Sequence, residues 1–200
     1  MSGGSDKLAR DVAVLTAMAG DMPAYLDSDV LFWPMSRRDM PQLTLGGYLM
    51  REHRLRALPD RLSAQQQQDV AAAISAFNQS LADRVVRFET KAHAELQARL
   101  RQWEEYLKDI DRGTADRTSN YATAVETRAM IQAIVDRLSL PPYRLESRPV
   151  SQLAMLDDRL RNRFSRGQLV WPADWAPAYP DPDYWWLYGA PRVPANKVND

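Results

Sequence analysis

The sequence predicts an all-α fold: an elongated helical bundle organised on one very long central helix in an antiparallel hairpin, followed by an extended C-terminal tail rich in proline and aromatic residues. Three observations carry this expectation. No glycine or proline interrupts the chain between Ser63 and Gly113. Apolar residues from Val70 to Ile110 recur there with a mean spacing of about 3.6, the period of a straight α-helix. Beyond Gly167 the composition turns abruptly to tryptophan, tyrosine and proline.

The elements follow in chain order. Leu8, Val12, Leu15 and Met18 lie at helical spacing after Ser5, and Gly20 with Pro23 supplies a stop, so a first helix is expected over 6–19. Pro34 and Pro41 break the apolar stretch over 28–42, which is expected to be irregular and buried. Thr44 can cap a helix over 44–58, closed by Pro59. Ser63 caps the long helix over 63–112, which would extend roughly 75 Å at 1.5 Å per residue, and Gly113 is its stop. Tyr121, Val125, Ile131, Ile134 and Leu138 set a helix over 116–139, ended by Pro141 and Pro142. The short connection around Gly113 makes it an antiparallel neighbour of the long helix. Pro149 opens a last helix over 149–166, and Gly167 closes it. Residues 1–167 form one helical bundle in this reading, with 168–200 packed on it as a tail containing polyproline-like stretches.

Composition narrows the functions. A chain of 200 residues, 45% hydrophobic and 26% charged, has the balance of a folded domain and room for one ordinary core. Lys and Arg number 26, as do Asp and Glu, so no net field draws the molecule to nucleic acid or acidic lipid. The absence of cysteine excludes disulfides, thiolate metal sites and cysteine nucleophiles. No apolar run reaches the roughly 18 residues of a membrane span, and Met1-Ser-Gly-Gly-Ser-Asp has no leader character, so no membrane role and a cytoplasmic location are expected.

Chemistry-bearing patterns are few. Glu89 and His93 share a helical face at a spacing of four, yet the paired Glu-x-x-His motifs of a di-metal bundle are missing. Neither His53 nor His93 sits in a nucleophile–base–orienter pattern. No catalytic, metal or cofactor residue is therefore assigned, and the chain leans away from being an enzyme. Gly46-Gly47 after Thr44 could offer free N–H groups to an anion; close helix packing explains the pair more simply.

Two groups of residues remain as interaction candidates. Trp171, Trp175, Trp185, Trp186 and Tyr188 carry enough apolar surface that they either seal the bundle or dock another protein. Arg51 and Arg54 on the second helix, with Arg159, Arg161 and Arg163 near the last, are anion or nucleic-acid candidates, although nearby carboxylates dilute both clusters.

The helix over 116–139 can cover only about half of the long one. An uncovered apolar stripe points first to a non-catalytic scaffold or adaptor that binds another protein or a second copy of itself, as in a homodimer. The alternatives are a nucleic-acid or phosphate-binding module using the arginines, which the zero net charge disfavours, and an enzyme or small-ligand binder with its site under the aromatic tail, near His53, Arg54 or Asp183.

Overall fold

The computed structural model describes residues 3–113 and 121–192 and is predominantly helical. The helices are α1 (Gly3–Asp27), α2 (Leu45–Ala57), α3 (Ala64–Ala82), α4 (Val85–Arg112), α5 (Tyr121–Leu138) and α6 (Ser147–Arg161). Two short strands, β1 (Phe164–Leu169) and β2 (Tyr188–Pro191), pair antiparallel near the end of the chain. Helix α1 lies on α3, α5 packs on both α2 and α4, and α6 lies on α4. The expected helix starts 116–120 fall outside the described residues.

Local capping accounts for the elements that match expectation. Thr44 Oγ1 accepts from Gly47 N at 3.0 Å and starts α2. Ser63 and Gln66 form a reciprocal capping box at α3, with Gln66 N donating to Ser63 Oγ and Ser63 N to Gln66 Oε1. Gly113, at φ 71°, adopts the left-handed conformation that closes α4.

Helix α1 runs past the stop expected at Gly20 and Pro23. Met22, Tyr25 and Leu26 continue its buried face, so apolar burial outweighs the hydrogen bond that Pro23 removes. The end comes at Ser28, whose backbone N–H donates to Ala24 O. Three cations then gather where the helix dipole is negative: Arg84 forks onto the Asp27 carboxylate at 2.9 and 3.0 Å, Arg87 reaches Asp27 O, and Lys91 donates to Ser28 O and Val30 O. The segment over 28–42 is irregular as expected, but Val30 and Phe32 are exposed rather than buried.

The long helix expected over 63–112 is two helices. Asp83 and Arg84 separate α3 from α4, and Arg84 has left helical geometry at φ −139°, ψ 38°. The break falls where the packing partner changes, from α1 beside α3 to α5 and α6 beside α4. Arg84 is the residue that grips the end of α1. Val70, Phe77 and Leu81, the part of the stripe that α5 was too short to cover, are buried within the chain.

The other departures lie beyond α6. This helix ends at Arg161 instead of 166, because residues 164–166 pair with 189–191 in the β-ribbon. Gly189 takes φ 141° opposite Arg166, and a Cβ there would fall 2.1 Å from Ser165 O. In place of an extended tail, residues 173–178 and 185–187 wind into short 3-10 turns between the strands. Prolines exclude long helices but not single turns.

One buried carboxylate joins the layers. Glu95 of α4, fully buried, accepts from Leu45 N at 2.7 Å, Gly46 N at 3.1 Å and Arg99 Nε at 3.3 Å. It thereby occupies the glycine N–H group that the sequence offered to an external anion. Burial pushes this carboxyl up, while Arg99, the Gly46 N–H and the Thr44 hydroxyl act against it.

Two glycine substitutions should diverge. A Cβ on Gly46 would lie 2.8 Å from Glu95 Oε1 and 2.9 Å from Met130 Cβ, whereas one on Gly20 meets nothing within 4 Å. Gly46→Ala is expected to destabilise by about 1–3 kcal/mol, and Gly20→Ala to stabilise by about 0.5–1 kcal/mol. Urea unfolding midpoints measure both.

Candidate functional site

Helices α2 and α5 run side by side, and the aromatic segment crosses them. Together they enclose a cavity of about 420 Å³. Its apolar wall includes Leu49 and Met50 from α2, Ala129 and Ala133 from α5, and Leu140 beyond it. Small residues on α5 make the space. Into the same cavity come Glu52, His53 and Arg56 from α2, Asp136 and Arg137 from α5, and Tyr179 and Tyr184 from the crossing segment.

Two of these charged groups are incompletely satisfied. Glu52 is buried; its Oε1 accepts from Arg56 Nη1 at 3.1 Å, and its Oε2 has no partner. Arg137 donates from Nη2 to Asn78 Oδ1 at 3.2 Å, and its buried Nε has no partner. No ion pair joins Glu52 to Arg137 among the described residues. Both residues line the cavity, while the unpaired Oε2 and Nε atoms are themselves buried beneath its surface.

His53 is held by the crossing segment. Its Nε2 lies 2.7 Å from Ala178 O, which can only accept, so this nitrogen carries the proton and Nδ1 is the ring's acceptor. The Tyr184 oxygen lies 3.2 Å from the same nitrogen. Burial, then the nearby Asp136 carboxylate, pushes the Tyr184 phenol up, so it remains neutral.

The tryptophans and Tyr188 are structural within the chain. Trp171, Trp175 and Trp186 are buried, and Trp185 and Tyr188 are half-buried. Trp171 Nε1 donates to Ala122 O at 3.0 Å, Tyr121 donates to Trp186 O at 2.6 Å, and Tyr188 donates to Tyr179 O at 2.7 Å. Arg54 stacks on the Trp175 ring at 3.8 Å and Arg128 on Trp186 at 3.7 Å.

The arginine candidates do not form a continuous free surface. Arg51 and Arg54 share the buried Asp11 carboxylate at 3.1 and 2.5 Å. Arg159 and Arg163 both bind Asp111 at the end of α4. Arg161, the most exposed of the five, lies 4.6 Å over the Trp185 ring. On α4, His93 Nε2 contacts Arg144 O at 2.8 Å. Among the described residues no group of three or more His, Cys, Asp or Glu could hold a metal, and no helix is long and apolar enough to cross a membrane.

Of the cavity's polar groups, the sequence pointed to His53 as a site residue; Glu52 read only as a carboxylate diluting the nearby arginines, and Asp136 and Arg137 carried no signal. The spacing of Asp136–Arg137 to Glu52 across two helices leaves no linear motif. No family model matches this sequence, and no curated protein or solved structure resembles it.

The different burial of two indoles of the aromatic segment leads to a prediction. Trp175→Ala removes a buried ring and uncovers Arg54, with an expected cost of about 3–5 kcal/mol. Trp185→Ala, half-buried at the ribbon, should cost roughly half as much. Thermal and urea unfolding of the two variants measure the difference.

Proposed function

We propose that this chain is a small-ligand-binding protein whose site is the cavity between α2, α5 and the aromatic segment. The observation that carries the reading is a largely apolar cavity lined by both the buried Glu52 carboxylate and Arg137, each with one polar atom that has no partner. An amino or ammonium group would supply the missing donor, and the free Arg137 Nε would receive a carboxylate or other acceptor. A compact zwitterion, such as an α-amino acid, meets both demands. The volume of about 420 Å³ and the apolar wall suit a ligand of that size.

The scaffold reading loses its support. It depended on an uninterrupted rod with an uncovered apolar stripe, whereas α1 covers α3 and the chain turns at Asp83–Arg84. The nucleic-acid reading has a parallel difficulty, because the arginines on which it drew are engaged by Asp11 and Asp111.

Thermal-shift screening with α-amino acids, primary amines and simple carboxylates, followed by calorimetry, tests the proposal. Zwitterions should stabilise the protein. Glu52→Gln should weaken binding by about tenfold or more, since a hydrogen bond to a charged group contributes about 1.5–3 kcal/mol. Ala133→Phe, which fills the cavity, should abolish it. The reading fails if no compound shifts the melting temperature, or if the filled variant responds like the original.

A further inference from the structure

A second cavity, of about 580 Å³, opens on the other side of α2, bounded by the first turns of α1, the start of α5 and the Trp171–Trp175 stretch. We propose that it binds a small oxyanion, the phosphate or carboxylate group of a compact metabolite, independently of the first site.

The charge distribution is the first argument. Lys7, Arg10, Arg51 and Arg54 line the cavity, opposed by Asp11, Asp39 and Glu126. Asp11 is divided between two guanidiniums, and the Asp39 carboxylate is forked by Arg37, which is not on the cavity wall. Arg10 donates to a backbone carbonyl, Asp39 O at 2.7 Å. Cationic charge is therefore in excess at this spot, in a molecule whose formal net charge is zero.

The second argument is an unused donor. Arg54 is 3% exposed, with Nε on Tyr179 Oη at 3.1 Å and Nη1 on Asp11, yet its buried Nη2 has no partner. A guanidinium held this rigidly on the Trp175 ring keeps a fixed positive charge at the cavity wall, which suits oxyanion recognition.

Glu126 of α5 is the counterweight. Burial pushes its carboxyl up while Arg54 and Arg51 pull it down. An ionised Glu126 opposes an incoming anion, and removing its charge should favour one.

The test uses the whole chain with inorganic phosphate, sulfate and citrate, each against sodium chloride of equal ionic strength, read by melting temperature and tryptophan fluorescence. A phosphate or citrate effect beyond chloride is expected, and the stronger of the two identifies the anionic group. Lys7→Ala/Arg10→Ala changes only exposed residues and should weaken binding about tenfold, in line with two lost phosphate contacts. Glu126→Gln should tighten it several-fold, and Ala133→Phe should leave it unchanged. Equal responses to all salts, or binding unaltered in both the double variant and Glu126→Gln, would overturn the assignment.

Discussion

The arrangement depends on the buried carboxylate of Glu95. A lone ionised carboxylate inside a protein is costly by several kcal/mol. Here the first N–H groups of α2, the Arg99 guanidinium and the Thr44 hydroxyl converge on it. The helix start that would otherwise need solvent is satisfied internally. In return α2 is fixed in position and rotation against α4 and α5. Glu52, His53 and Arg54 all project from α2, so both cavities inherit their geometry from this contact. Gly46 is required beside it because no side chain fits between Glu95 and Met130.

Features encoded by neighbouring residues were legible in the sequence. The Thr44 and Ser63 caps and the Gly113 stop each depend on groups within a few positions, and the structure has helix ends at all three. Features set by distant packing were not. Pro23 reads as a terminator until the packing of α1 on α3 and α4 is seen, with Met22, Tyr25 and Leu26 buried. The turn at Asp83–Arg84 contains no glycine or proline; the β-branched pair Val85–Val86 is the only local weakness, and the cause is the reach of Arg84 to Asp27, 57 positions away. Residues 164–166 leave the helical pattern because their partners lie at 189–191.

The candidate sites follow the same division. Clustered arginines look like a phosphate track when read along the chain, but their carboxylate partners come from other helices: Asp11 from α1 for Arg51 and Arg54, Asp111 from α4 for Arg159 and Arg163. Of the tryptophans that suggest a docking surface, Trp175 stacks on Arg54, Trp186 on Arg128, and Trp171 donates to Ala122 O of α5. The sequence pointed to the region near His53 under the aromatic segment, where the structure has a cavity. It could not reveal that Glu52 and Arg137, 85 positions apart in numbering, would share one cavity with an oxygen and a nitrogen still unpaired.

The anchoring of the aromatic segment also bears on biosynthesis. Tyr179 and Tyr184 roof one cavity, Trp171 and Trp175 wall the other, and the strand at 188–191 fastens the whole stretch to β1. A nascent chain emerging from the ribosome can therefore form its N-terminal helices early, but neither pocket exists until translation has passed the last of these aromatics. A chain that stopped short of residue 188 would lack the strand that fastens this stretch to β1.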